Sequence, residues 1–330
     1  MSKTITSIRY TYYLLLALFW FSTGLPLSLS VLLVQQRGLD LFQVGSMMAF
    51  YSLTIVLLEV PTGGLADAVG RKPITLIAYG VLALSNLIVL FAFSYAAILS
   101  AFIMMGVGRA LSSGALDAWF IDALKDQDAQ LDLQPYLSGA GTVTLLALGL
   151  GVVLGSLLPQ WFASLPIASD ASQAVLAPLT IPFVFSLVIK LVLIFLALKL
   201  VQETRGIHQQ AAWLAGFREV PNIIRVGFSL SWRNGTIRSL LFVGMASGFA
   251  LIGLESFWQP QFVYILGGVE NTPVLGFLLG GSFLAGMLGN LFSNVLARWL
   301  RQQYALICAI FQGVWGLTIL ILAWQTHTIG

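Results

Sequence analysis

The sequence predicts an all-α polytopic membrane protein, and three observations carry that prediction. Hydrophobic residues make up 58% of the 330-residue chain and charged residues only 9%, whereas soluble domains carry about 25% charged residues. So few charges could not cover a water-soluble surface of this size. The apolar residues fall in repeated long blocks, and roughly 20 such residues cross a hydrocarbon core about 30 Å thick as a helix. A membrane β-barrel would instead show segments of about ten residues alternating in polarity, and the sequence has no such run of segments.

Taken in order, the blocks predict nine spans at 10–34, 42–62, 74–94, 97–119, 137–160, 179–201, 238–264, 273–296 and 304–325. Met1 to Arg9 is short and polar, and the apolar run behind it is too long for a signal-peptide core, so the first span is expected to be retained. The spans group into a six-helix bundle over 1-201, a cytoplasmic linker over 202-237, and three helices of a partial second bundle over 238-330. In the linker, Trp213, Leu214, Phe217, Val220, Ile223, Ile224 and Phe228 recur at near-helical spacing around Arg218 and Arg225. They predict an amphipathic helix at the membrane interface, either regulatory or a tie between the bundles.

Basic residues orient the chain. Of sixteen Lys and Arg, Arg109 and Lys190 lie within spans. With the N-terminus in the cytoplasm, thirteen of the rest fall in inside segments and only Arg37 outside. A cell (inner) membrane protein with residue 330 outside is expected. Cys308 is the only cysteine, which excludes an intrachain disulfide and a cysteine metal site. His208 and His327 lie outside the spans, and no Gly-rich phosphate loop ending in Gly-Lys-Ser/Thr occurs. No cofactor, metal, nucleic acid or ATP-driven chemistry is expected, and no catalytic constellation assembles.

Between spans two and three the chain reads Glu59-Val60-Pro61-Thr62-Gly63-Gly64-Leu65-Ala66-Asp67-Ala68-Val69-Gly70-Arg71-Lys72. Its glycines permit a tight reversal and close helix approach, and Arg71 and Lys72 suit the cytoplasmic interface. In residue types, spacing and location, the segment resembles the signature loop of the major facilitator superfamily, with Gly64, Asp67, Gly70, Arg71 and Lys72 matching. The resemblance implies a fold of two helical bundles, and bacterial drug or metabolite exporters are the members most similar in outline. It also implies that this loop is a conformational latch, with Asp122 as a partner for Arg71 or Lys72. Glu59 belongs with this group, either handling protons or pairing structurally. The alternative is that Arg71 and Lys72 only set topology.

Span four carries Arg109, Gly114 and Asp117, approximating a fourth-helix Arg-and-glycine pattern of the family. Ionisable groups at membrane depth normally face a cavity, a partner or water. On a continuous helix, Arg109 and Asp117 would lie within about 80° of each other, so both are candidates to line one cavity. Gly141, Gly149, Gly151 and Gly155 in span five form only part of the family's antiporter signature, because no proline follows until Pro159. Close helix packing is an equal reading of them. Lys190 in span six is read as charge compensation or a substrate contact. In span seven, Glu255 beside Trp258 and Gln259 is the leading candidate for protonation or cation recognition. Trp20, Ser22 and Thr23 are further cavity candidates in span one.

Gln36-Arg37-Gly38 to Val44-Gly45 faintly resembles Leu266-Gly267-Gly268 to Leu275-Gly276, and repeated halves are common in transporters. The expectation is a secondary transporter that moves a small organic solute by alternating access, proton-coupled and exporting. A nutrient importer and a non-transporting membrane scaffold are the alternatives. The family commonly has twelve spans, so a truncated or split second half is expected, with its remaining helices as a partner. Lipid, protons and the solute complete the expected partners.

Overall fold

A computed structural model describes residues 4–163, 174–202, 225–226, 229–267 and 272–299, with part of 310–321. Side chains at 60, 67–68, 240, 249–257 and 290–299 fall outside the described set. In chain order the helices are α1 (Ile5–Leu27), α2 (Ser30–Gln36), α3 (Leu41–Val69), α4 (Arg71–Phe91), α5 (Tyr95–Ser112), α6 (Ala115–Lys125), α7 (Gln134–Trp161), α8 (Ile181–Leu200), α9 (Gly235–Leu266) and α10 (Thr272–Trp299). Among the described residues, seven spans are long and apolar enough to cross a membrane. They coincide with predicted spans one to six and eight. Predicted span seven lies within α9. The described residues of span nine are helical, and the amphipathic linker segment lies almost wholly outside the described residues.

Local chemistry sets the ends. Thr4 and Ser94 accept backbone N–H groups at the starts of α1 and α5, and Asp40 and Gln43 form a capping box on α3. Gly38 and Gly267 both take left-handed φ, at 86° and 76°, just before α3 and α10. The two turns singled out as similar in sequence therefore share a glycine with positive φ.

Three expectations are corrected in detail. Span one is broken: α1 ends at Leu27 and α2 begins at Ser30, beside Pro26, which lacks the N–H that a helix interior needs. Span four is also broken. Ser113 and Gly114 separate α5 from α6, with Gly114 at φ 76°, so the single-helix angle between Arg109 and Asp117 does not apply. The segment between spans two and three is not an extended loop. Helix α3 runs through Gly63 and Gly64 to Val69, and the chain reverses at Gly70 alone, at φ 110°.

The core is formed where α1, α4, α6, α7 and α8 meet, around Tyr12, Phe19, Tyr79, Trp119, Phe120 and Leu193. Arg37, expected simply as an outer-segment charge, is buried, with 9% exposed. Its guanidinium donates to the carbonyls of Val89, Leu90 and Ala92 at the C-terminus of α4 and lies over the Phe93 ring. A cation there supplements the single long bond that Val89 receives from the Ala92 N–H, supplies donors to the other two terminal carbonyls and complements the helix dipole.

Helices α9 and α10 meet the first eight near the C-terminal ends of α1, α7 and α9. A Cβ on Gly276 of α10 would collide with the Ser156 side chain of α7, and the Gly280 backbone approaches Gly149. Leu275, fully buried, joins the cluster of Leu29, Leu33, Val89 and Phe183. This seam stands at the end of the bundle opposite the N-terminus of α1.

Candidate functional site

At the other end, the first eight helices hold a half-open cavity of about 320 Å³. Five helices and the break in span four wall it. Helix α1 contributes Tyr12, Leu16, Phe19 and Trp20; α4 contributes Tyr79; α5 contributes Arg109 and Ser112; α7 contributes Ala140, Gly141 and Thr144. The Ser113–Gly114 break and the start of α6 supply Gly114, Leu116 and Asp117.

The break makes the site possible. Residues with a Cβ are strained in the left-handed conformation, so glycine at 114 lets span four stop and restart. A fresh helix N-terminus then opens into the cavity, and Asp117 stands in the first turn of α6. A carboxylate there is favoured by the unpaired N–H groups and the helix dipole. Asp117 accepts a hydrogen bond from the Tyr12 hydroxyl at 2.8 Å. The Tyr12 ring stacks on Phe120 with centroids 3.9 Å apart and planes 3° from parallel, so the hydroxyl is held in place from behind.

Arg109 lies on the same cavity with its guanidinium 4.9 Å from the centre of the Trp20 ring. It donates to the Ser112 hydroxyl at 3.4 Å. Among the described residues no carboxylate is within ion-pair distance of it. Trp20 also meets Phe19 edge-on at 5.3 Å, and Phe19 lies 5.6 Å from Tyr79. The arrangement is an aromatic wall carrying one positive and one negative group. Such a surface can hold a flat apolar body while directional polar contacts fix its orientation.

The other expected residues divide between two places. Arg71 pairs with Asp122, Nε to Oδ2 3.6 Å. Lys72 donates to the Leu198 carbonyl near the end of α8 at 2.8 Å, and Glu59 accepts from the Ser113 hydroxyl at 3.0 Å. Arg71, Lys72 and Asp122 surround the reversal at Gly70, Gly64 lies in the last turns of α3, and Glu59 stands about three turns before the reversal, at the break in span four. The Asp67 and Glu255 side chains are outside the described residues.

Lys190 is 4% exposed and does not line the cavity. Its ammonium donates to the Ser186 hydroxyl at 2.6 Å, which also accepts from Asn86 Nδ2 at 2.9 Å. Ser186 in turn donates to the Ser22 carbonyl at 2.5 Å. Pro26 is four residues after Ser22 and has no N–H to donate to it, so the chain from Lys190 ends on a vacated helical acceptor. Trp258 and Gln259 lie at the seam. Gln259 bonds to the backbone of span one, to Leu27 and Val31, and Trp258 packs with Phe262 on the Leu29 cluster.

Sequence reasoning named Arg109, Asp117 and Trp20. It missed Tyr12 and Tyr79 as polar wall residues and Ser186 as the receiver of Lys190. The signal for Ser186 was Pro26, whose vacated carbonyl requires a donor. For Tyr12 no signal in the sequence separates it from its neighbours Tyr10 and Tyr13.

A sequence model of the Major Facilitator Superfamily matches residues 12–330. Among solved structures the chain is similar to the nucleoside transporter NupG, with TM-score 0.66, 13% identity, and coverage of 89% of this chain and 68% of that one. A mutant of NupG gives TM-score 0.69 at 13% identity, covering 88% and 68%. The human organic anion transporter MFSD10 (TETRAN) gives 0.56 at 20% identity, covering 84% and 70%. At these identities the likeness is one of fold. None of the curated protein sequences compared with the chain matches it.

Proposed function

Because the chain belongs to the Major Facilitator Superfamily, a family of transporters and not of enzymes, we propose that it moves a small organic solute by alternating access. The solute binds in the cavity between Trp20, Arg109, Tyr79 and Asp117. The observation that carries this reading is the Arg109 guanidinium over Trp20, a cation at membrane depth beside open space with no carboxylate partner among the described residues. Such a group is costly unless it faces a cavity or a ligand.

The positive-inside distribution supports a cytoplasmic N-terminus in a cell membrane. In that orientation the cavity stands at the cytoplasmic side and the seam of α7 with α10 closes the opposite side. Proton coupling is part of the proposal, and Asp117 is its carrier in the cavity. A carboxylate whose charge is neutralised by a proton or by substrate lets the empty and loaded cavities reorient differently. Glu255 remains the proposed carrier in the second unit. The pair of Arg71 with Asp122, with Glu59, Gly64, Asp67, Gly70 and Lys72 around it, is the proposed latch.

Export of an amphiphilic solute is the favoured direction. Uptake is the second reading, because the flat aromatic wall suits a nucleobase-like ring equally, and one similar structure is that of a nucleoside transporter. The test is a panel of labelled solutes in proteoliposomes with a pH reporter inside. Flux is expected for the parent, falling at least tenfold in Arg109→Ala. Chemical turnover without translocation, or unchanged flux in Arg109→Ala and Asp117→Asn alike, would overturn the proposal.

A further inference from the structure

We infer that the Gln259 carboxamide is a removable splint for the break in span one, exchanged for a backbone hydrogen bond when the two units part at the seam. The inference rests on the alternating-access reading above. Gln259, in α9, is 3% exposed. Its Nε2 donates to the Leu27 carbonyl at 3.1 Å, and its Oε1 accepts from the Val31 N–H at 3.2 Å. Val31 and Leu27 are four residues apart, so in a continuous helix they would bond directly to each other. The carboxamide stands between them and satisfies both.

The two partners fix which way the amide points, since a backbone carbonyl cannot donate and a backbone N–H cannot accept. The hydrogen bond missing between Leu27 and Val31 is not the one that Pro26 forfeits. The missing N–H of Pro26 vacates the carbonyl of Ser22, four residues earlier, and Ser186 of the first unit already donates there. Helical bonding resumes directly after the break, with Leu33 N–H on the Leu29 carbonyl at 3.0 Å. The opening between Leu27 and Val31 thus coincides with a side chain from the other unit.

A second feature marks the break as one of two arrangements. The Ser28 hydroxyl is fully buried and has no hydrogen-bond partner among the described residues. In a reclosed helix it would bond back to the Gly24 carbonyl, as serines inside helices commonly do. Opening the seam withdraws α9, and Val31 and Leu27 then regain each other. No buried backbone group is orphaned in either state, which keeps both states accessible in a membrane interior. The exchange couples the shape of span one, which carries Tyr12, Phe19 and Trp20 of the cavity, to separation of the units 7 to 15 residues further along the chain.

The test uses the full chain in nanodiscs, with Cys308→Ser and spin labels on cysteines replacing Phe42 and Tyr264. Both positions are 83% exposed and lie at the seam end of α3 and α9. Distance distributions are recorded with and without a transported solute. The parent is expected to show a short and a long separation. Gln259→Met keeps the volume and removes both hydrogen bonds, and the long-to-short ratio should rise at least about tenfold, since in the short state alone it orphans the buried Val31 N–H and leaves the Leu27 carbonyl only the Ser30 hydroxyl at 3.3 Å. Gln259→Asn, one methylene shorter and unable to span both groups, should shift the same way and serves if the methionine variant does not fold. Two separations in the parent with an unchanged ratio in the variants would overturn the splint alone. A single separation under every condition would overturn alternating access and the splint together.

Discussion

Ser186 donates its hydroxyl proton to the carbonyl of Ser22 at 2.5 Å, the acceptor that Pro26 leaves without its helical donor. Lys190 and Asn86 both donate to the same hydroxyl, so one serine serves three helices. Ser186→Ala should therefore cost more than one ordinary hydrogen bond, because a buried carbonyl, a buried amide and a buried ammonium lose their partner together. A loss of about 3 kcal/mol is expected, read as a lowered unfolding midpoint in detergent. Ser186→Thr, which keeps the hydroxyl, should recover most of it.

Arg109 lies against Trp20 through the face of its guanidinium. A lysine keeps the charge and loses the planar stack and the forked donors. Flux through Arg109→Lys is expected to fall between the parent and Arg109→Ala, with the Michaelis constant rising. A lysine variant as inactive as the alanine variant would show that the planar group, and not charge, is required.

Tyr12 and Asp117 can be separated by substitution. Tyr12→Phe keeps the stack on Phe120 and loses one hydrogen bond, about 1 kcal/mol, so transport should persist. Asp117→Asn keeps an acceptor for Tyr12 and removes the titratable charge. Flux driven by a pH gradient should be lost in Asp117→Asn while solute exchange between equal pH compartments continues.

Gly114 holds φ 76° at the break in span four, and a Cβ there would meet no other atom within 4 Å. Gly114→Ala should therefore destabilise through backbone strain alone, by about 1 kcal/mol. A larger loss, measured by thermal unfolding, would mean that the break closes and displaces Asp117 from the cavity.

Much of the architecture was legible because bilayer thickness dictates block length, and block length survives in the sequence whatever the tertiary contacts. Arg109 and Asp117 were legible for a related reason, since charges at membrane depth are few and each needs an explanation. The breaks within spans one and four were not legible from hydropathy, because both sides of each break are equally apolar. Pro26 and Gly114 mark the places, yet proline and glycine are also common inside unbroken membrane helices. Gln259 was visible as a polar residue beside Glu255. Its backbone partners lie more than 220 residues earlier in the chain, and only the packed structure brings them together.

At the seam of α7 with α10, Ser156 and Val153 of α7 occupy the spaces where side chains on Gly276 and Gly280 of α10 would stand. The two backbones can therefore approach closely and gain broad dispersion contact. Parting the helices means lifting two small teeth out of two notches. Bulk added at Gly276 fills one notch, so it should hinder the closing stroke even where it leaves the grip on solute untouched.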